Sequence, residues 1–152
     1  MLKLAEHNPK LRFVVFGSEL PLGNLPANLD VFVKPSRIRI GEIFQQTKIW
    51  MSSSYEEGFC LPCLEAMSSG AVVVSTDNKG VRDMIEDGQT GYLTTPGKIS
   101  ELAMRVNFLL EHPQSMQRMQ GASYLRSKAF SWEKSADMFN QVLSSTSLKR
   151  AA

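Results

Sequence analysis

The stretch that decides the fold is EEGFCLPCLEAM at residues 56–67, which follows the apolar run KIWMS (48–52) in the chain. KIWMS has the length and apolar character of a buried strand. Pro62 suits the first turn of a helix, where a missing N–H costs nothing. The predicted helix starts at Leu61 or Pro62 and stops at Gly70, because glycine commonly follows a helix end. The stretch is therefore predicted to turn the chain from a strand into a helix.

Strands and helices alternate on both sides of this corner, and the end of the chain is purely helical. This order is typical of a parallel sheet covered by helices, so we predict a Rossmann-like, doubly wound parallel α/β sheet with C-terminal helices. The 152 residues suffice for one core, so we predict one domain over residues 1–145 and a flexible tail over 146–152. The predicted strands are 11–16, 29–33, 48–52, 71–75 and 91–94, and the predicted helices are 1–8, 40–46, 61–69, 81–87, 98–111, 114–128 and 132–145.

The composition excludes several classes of function. The formal net charge is +2 with basic and acidic residues interleaved, which argues against a nucleic-acid partner. No apolar run reaches the roughly 18 residues of a membrane span, and the N-terminus is not a signal peptide. The two cysteines cannot staple a small secreted domain, so a cytoplasmic location is predicted.

The backbone of the corner is suited to bind an anion. The N–H groups of Phe59, Cys60 and Leu61 would lie at the positive end of a helix, with no partner inside the helix. Such a helix start binds phosphate or an anionic sugar nucleotide, and Gly58 lets the backbone come close to a ligand. In open parallel sheets, ligands sit beyond the carboxyl ends of the strands, which is where this corner lies.

Two carboxylates border the same corner. Glu57 lies in the predicted loop and Glu65 about one turn into the helix, so both can line one pocket. Carboxylates accept the hydrogen bonds that the neighbouring hydroxyls of a sugar or ribose donate. The alternative is that Glu65 only interacts with the helix dipole and that Glu57 is a solvated loop residue.

The two cysteines of the stretch support a different interpretation. Cys60 and Cys63 form a CxPC pattern, and a helix N-terminus lowers the pKa of a thiol. One alternative function is therefore a thiol–disulfide oxidoreductase that uses this pair. A second alternative, independent of the cysteines, is a non-catalytic Rossmann-like interaction module. No metal site is predicted, because two cysteines lack the second pair of ligands that a structural zinc site requires.

Four segments in chain order resemble the retaining family 4 glycosyltransferases, and together they cover most of residues 11–145. The first is the corner itself, with EGF, LP, LEAM, Gly70 and then VVVS. The second is KGVRDMIEDGQTGYLTTPG (79–97), which contains an acidic residue, Asp83, followed by an Ile-x-x-Gly and a Thr-Gly pattern. The third and fourth are ISELAMRVNFLLEHPQSMQRM (99–119) and FSWEKSADMFNQVL (130–143).

The resemblance implies the C-terminal, donor-binding half of an enzyme with the B-type glycosyltransferase fold. Such an enzyme moves a sugar from a nucleoside diphosphate sugar, such as a UDP- or GDP-sugar, to an acceptor in glycan, polysaccharide or glycolipid synthesis, without a cofactor. By the same resemblance, Glu57 is the catalytic residue that binds hydroxyls of the transferred sugar, and Glu65 binds the ribose. The implied donor contacts are Glu57, Gly58, the amides of Phe59, Cys60 and Leu61, and Glu65, with base contacts near Lys34 and Pro35.

The sequence departs from the family pattern at the diphosphate. The family supplies an arginine and a lysine just after the first strand of this half, whereas this chain begins within the helix that should follow them. Lys79 and Arg82 are the predicted substitutes, and Cys60 stands where the family usually has glycine or another small residue. The acceptor sugar or lipid would be held by an N-terminal domain, and peripheral membrane association of the full-length enzyme is left open. We expect the 152 residues alone not to turn over substrate.

Overall fold

The fold is that of an α/β protein in which strands and helices alternate and three helices close the chain. The computed structural model describes residues 2–19 and 23–150, without the side chains of 146–150. The described elements are α1 (Leu2–His7), β1 (Phe13–Gly17), β2 (Leu29–Val33), α2 (Arg37–Gln46), β3 (Ile49–Ser52), α3 (Leu61–Ser68), β4 (Val72–Thr76), β5 (Gly91–Thr94), α4 (Ile99–Glu111), α5 (Pro113–Ser127) and α6 (Trp132–Arg150).

The described strands form two parallel sheets. β1 pairs with β2 in the first sheet, and β4 lies between β3 and β5 in the second. In the second sheet Ile49 lies opposite Val72, and Val73 lies opposite Gly91. Parallel neighbours need a crossover connection, which α3 provides from β3 to β4, whereas α2 connects β2 of the first sheet to β3 of the second. The predicted parallel α/β architecture is confirmed.

β4 is the centre of the packing because helices cover both of its faces. Val73 packs in a cluster with Ala66 and Met67 of α3, whereas Val72 and Val74 pack with side chains of α4. All five residues of β4 are buried. A strand covered on both faces requires a continuous apolar run, which is what the sequence shows here.

A cavity of about 540 Å³ lies between the two sheets. It is lined by residues 13–16 of β1 and 49–51 of β3. Side chains join the sheets beside it, because the Phe16 ring centroid is 5.8 Å from that of Phe44 in α2 and 5.5 Å from that of Trp50 in β3. Among the residues that the structure describes, no hydrogen-bond ladder joins β1 to β3, and aromatic side chains pack between the two strands instead.

The prediction of a helix at residues 81–87 is wrong. The segment makes a single turn, in which the Ile85 N–H donates to the Val81 carbonyl at 2.9 Å. The turn does not continue because the Glu86 N–H donates to the side-chain oxygen of Thr90 at 2.8 Å. The apolar side chains of the turn are nevertheless buried in the core, which explains their helix-like spacing.

The C-terminal helix begins where the sequence predicts and continues further. The Lys134 N–H donates to the Ser131 hydroxyl at 3.2 Å, so Ser131 caps α6. The helix runs to Arg150 instead of ending at 145. The flexibility of residues 146–152 stays a prediction, and residues 151–152 lie outside the described part of the chain. None of the helices described combines the length and the apolar composition needed to cross a membrane.

Candidate functional site

The strand-to-helix corner is present at the carboxyl end of β3. α3 begins at Leu61 with Pro62 in its first turn, and Cys60 is the N-cap with φ 58° and ψ 59°. Among the described residues, no side chain caps this helix start. The described hydrogen bonds also provide no acceptor for the backbone N–H groups of Phe59, Cys60 and Leu61. These three donors therefore remain available to an anionic ligand at the positive end of α3.

The loop after β4 supports the corner from the side. The Glu57 N–H donates to the Asn78 carbonyl at 3.0 Å, and Glu57 pairs with Lys79 in an isolated parallel bridge. A Cβ on Gly80 would lie 2.7 Å from the Glu57 carbonyl oxygen and 2.9 Å from the Phe59 nitrogen. Only a residue without a side chain fits at this approach, so Gly80 helps to set the position of the corner.

Asn78 and Gly80 are site residues that the sequence reasoning missed. Asn78 is fully buried, and its Oδ1 atom has no hydrogen-bond partner within the described structure. The available signal was the Lys-Gly dipeptide at 79–80, which marks a tight turn after a buried strand. Nothing local indicates that this turn touches a loop more than twenty residues earlier in the chain.

The two predicted carboxylates lie on the elements expected for them. Glu57 is in the loop before α3 and Glu65 is in its second turn, and both side chains are partly buried. Gly58 is exposed, and Phe59 and Leu61 are 41% and 43% exposed. The corner thus presents an open backbone flanked by partly buried carboxylates. Their roles toward a ligand stay predictions.

The two predicted phosphate cations follow β4 and already pair with carboxylates. The Lys79 ammonium lies 2.7 Å from Glu56, and the Arg82 guanidinium binds both oxygens of Asp77 at 2.7 and 2.9 Å. The bond from Lys79 lowers the pKa of Glu56, and the bond from Arg82 lowers the pKa of Asp77. Both pairs are largely exposed, so these cations can move to an anion at small cost.

Backbone strain is concentrated after the carboxyl ends of the strands. Among the described residues other than glycine, Lys34, Cys60 and Lys79 have positive φ, at 46°, 58° and 70°. They follow β2, β3 and β4 respectively, and such strain in non-glycine residues tends to occur at ligand-binding sites. All three were predicted from the sequence as site residues. Lys34 and the adjacent Pro35 belong to the loop of the other sheet, between β2 and α2.

The two thiols of the corner are in direct contact. The Sγ atoms of Cys60 and Cys63 lie 2.7 Å apart, and the side chains are 7% and 0% exposed. The hydrogen bond from the Cys63 thiol lowers the pKa of Cys60 to about 7, against the opposing effect of burial. The same bond and burial raise the pKa of Cys63. The first proton that the pair loses therefore comes from Cys60.

The end of α5 and the connection to α6 contact the corner and the turn that follows β4. The Phe59 and Phe130 ring centroids are 6.0 Å apart, with Phe130 in the connection between α5 and α6. Arg126 of α5 donates to the Asp83 carbonyl at 2.6 Å. The fold thus brings together three of the segments on which the family resemblance rests.

Comparisons with known proteins identify the family and the fold. The family described as Glycosyl transferases group 1 matches residues 1–126. An uncharacterized glycosyltransferase of Haemophilus influenzae is 26% identical over 149 residues, which is 92% of this chain and 42% of the relative. The solved structure of sucrose-phosphate synthase from Thermosynechococcus elongatus shares the fold with a TM-score of 0.83 at 19% identity, covering 99% of this chain and 42% of that one.

A further solved structure contains a sugar nucleotide. Anabaena HepE in complex with UDP-glucose aligns with a TM-score of 0.72 at 25% identity, over 80% of this chain and 33% of that one. The chain spans less than half the length of the curated relatives that it matches. Because the family match covers most of the sequence and the fold agrees, this chain belongs to the glycosyl transferases group 1 family.

Proposed function

We propose that this chain is the donor-binding half of a glycosyltransferase that moves a sugar from a nucleoside diphosphate sugar to an acceptor. The observation that carries the proposal is the corner at the start of α3, with three backbone donors available and two partly buried carboxylates beside them. The likeness to HepE, whose structure contains UDP-glucose, supports a donor of this class. The biological setting would be glycan, polysaccharide or glycolipid synthesis.

The start of α3 is suited to stabilise the leaving group. During transfer, the bond between the anomeric carbon and the diphosphate oxygen breaks, and that oxygen keeps the electron pair. The amides of Phe59, Cys60 and Leu61 donate to the diphosphate, where negative charge accumulates. The positive end of the helix dipole adds to this stabilisation. A new bond then joins the anomeric carbon to a hydroxyl oxygen of the acceptor, and the proton of that hydroxyl passes to the departing diphosphate oxygen.

The two carboxylates fix the two sugars of the donor. Glu57 accepts hydrogen bonds from the transferred sugar, beside the bond that breaks, and is the proposed catalytic residue. Glu65, further along α3, accepts hydrogen bonds from the ribose hydroxyls. Neutral hydroxyl donors to a charged acceptor give directional bonds, which position the anomeric carbon for reaction.

The remaining donor contacts come from the loops after β2 and β4. Lys79 and Arg82 turn from Glu56 and Asp77 toward the diphosphate when the donor binds, and the backbone around Lys34 and Pro35 meets the base. We further propose that an N-terminal domain holds the acceptor, that the reaction takes place in the cytoplasm, and that it needs no metal ion. Any membrane association of the longer enzyme would be peripheral.

Calorimetric titration with nucleotides tests the proposal. We expect the chain to bind UDP or GDP, and Glu65→Ala to weaken binding about ten- to a hundredfold, the worth of a hydrogen bond to a charged group. Glu111→Ala, which removes an exposed carboxylate at the end of α4, is the matched control and should leave binding unchanged.

A nucleotide without the ribose hydroxyls identifies what Glu65 binds. The unchanged protein should prefer UDP over 2′,3′-dideoxy-UDP. Glu65→Ala should bind the two nucleotides equally, because the mutation and the missing hydroxyls remove the same hydrogen bonds. If neither UDP nor GDP binds at millimolar concentration to a chain with the expected circular dichroism, the proposal is wrong.

A further inference from the structure

The proposed function assigns no chemical step to the thiol pair at the start of α3. It uses the backbone N–H of Cys60 and neither sulfur. Yet Cys60 is the N-cap and Cys63 lies in the first turn of α3, so one helical turn brings both sulfurs to the same side. Their Sγ atoms are 2.7 Å apart, which is closer than unbonded sulfur atoms normally pack.

We propose that Cys60 and Cys63 form a reversible redox site, which a low-molecular-weight disulfide such as glutathione disulfide oxidises to an intramolecular disulfide bond. This inference does not depend on donor binding. It concerns the side chains of the corner, whereas the proposed function concerns its backbone and its carboxylates. The product would be a cross-link that spans the N-cap and the first turn of α3.

Little movement is needed to form the bond. A disulfide requires the two sulfurs to be about 2.05 Å apart, so the Sγ atoms must approach by less than 1 Å. The left-handed conformation of Cys60 sets the direction of its side chain. The backbone of the corner therefore already holds the two sulfurs near bonding distance.

The chemistry of the pair suits thiol–disulfide exchange. The Cys60 thiolate attacks one sulfur of glutathione disulfide, the S–S bond breaks, and one glutathione thiolate leaves with the electron pair. Cys63 then loses its proton, attacks the Cys60 sulfur and expels the second glutathione thiolate. The protein gives up two electrons and two protons, which reduce one glutathione disulfide to two molecules of glutathione.

Each thiol is suited to its step. A pKa of about 7 provides a substantial fraction of Cys60 thiolate at neutral pH. The pKa of Cys63 is raised by its bond to Cys60, and that cause disappears once Cys60 is bound to glutathione. Cys60 itself is only 7% exposed, so glutathione disulfide reaches its sulfur when the exposed loop at Gly58 and Phe59 moves aside.

The test is equilibration of the folded chain in glutathione buffers that range from reduced to oxidised. We expect both thiols to be lost together, with a mass decrease of two hydrogens, no dimer, and full recovery with dithiothreitol. Trp50 packs against the same core cluster as both cysteines, and a disulfide quenches a neighbouring indole. Its fluorescence should therefore fall, as read in a Trp132→Phe background that removes the exposed second indole.

Variants of Cys63 separate a redox site from two packed core residues. Cys63→Ser should accumulate a mixed disulfide of Cys60 with glutathione, which the unchanged chain should resolve and not accumulate. Cys63→Ala serves as a second variant if the serine disturbs the fold, and circular dichroism monitors both. The proposal is overturned if both thiols persist in glutathione disulfide, if they are lost only in urea, if a dimer forms instead, or if the variants take up no glutathione.

Discussion

Gly80 shows how a single backbone position can control the candidate site without touching a ligand. Its missing side chain lets the loop after β4 approach the corner, where the Glu57 carbonyl and the Phe59 amide lie. The Phe59 N–H is one of the donors proposed to face the diphosphate. Any atom added at Gly80 must therefore move that donor or move the loop.

We expect Gly80→Ala to destabilise the chain by about 1–3 kcal/mol and to weaken UDP binding, because the new Cβ would sit 2.7 Å from a backbone oxygen. Urea unfolding and calorimetry measure the two effects. Gly121→Ala is the control, since no heavy atom lies within 4 Å of its Cβ position in α5 and alanine favours helix by roughly 0.5–1 kcal/mol. Equal behaviour of the two variants would contradict the role of Gly80.

Cys60 should make donor binding depend on pH under reducing conditions. Its pKa is lowered to about 7, so a thiolate appears beside the diphosphate site as the pH rises through that value. UDP-glucose carries a diphosphate that does not titrate in this range. We expect its affinity to fall about three- to tenfold between about pH 6 and about pH 8, from charge repulsion at short range.

Cys63→Ala supplies the control for this pH dependence. Without the hydrogen bond from Cys63, the pKa of Cys60 rises toward its ordinary value, because burial alone favours the neutral thiol. The fall in affinity should then move to higher pH, and the ultraviolet absorbance of the thiolate should move with it. A fall at the same pH in Cys63→Ala would assign the effect to another group.

At the scale of elements, local signals explain what could be predicted. Pro62 and Gly70 delimit α3 by their own backbone preferences, so its position followed from the sequence. The failure at 81–87 has a physical cause, since the Thr90 side chain takes an N–H that a helix would use, and no spacing rule shows this. The approach of Gly80 to the corner was equally hidden, because it joins two loops that are distant in sequence.

The turn at 81–84 should be as important to stability as a core helix. Met84 in this turn is fully buried, so Met84→Ala should lower the free energy of unfolding by about 2–5 kcal/mol. Met104→Ala on α4 is the matched control, because Met104 is 60% exposed and its loss should change stability by less than about 1 kcal/mol. Urea unfolding measures the free energy of unfolding of both variants. A loss in Met84→Ala no larger than the loss in Met104→Ala would mean that the turn contributes little.

At the scale of the whole molecule, the central strand β4 is better covered than the strands on either side of the gap. Every residue of β4 is buried, whereas β1, β2 and β3 are mostly half-buried. The cavity between the sheets adds to this difference, because residues 13–16 of β1 line it and pack less fully on that side. Stability should therefore be distributed unevenly between the sheets.

Hydrogen exchange followed by mass spectrometry should reveal that distribution. We expect the amides of β4 to exchange most slowly, with openings close to global unfolding, and those of β1 and β2 to exchange at least tenfold faster, equivalent to about 1.4 kcal/mol. Peptides from α3, which packs on β4, provide the internal reference. Equal protection in the two sheets would show that the gap does not weaken the first sheet.

The gap between β1 and β3 also has a mechanical consequence for the proposed donor site. The proposed base loop at Lys34 is carried by one sheet and the sugar-binding corner at Glu57 by the other. Within the described residues, the ring contacts of Phe16 with Phe44 and Trp50 link the two sheets. The distance between the two proposed loops therefore rests on side-chain packing in the described chain.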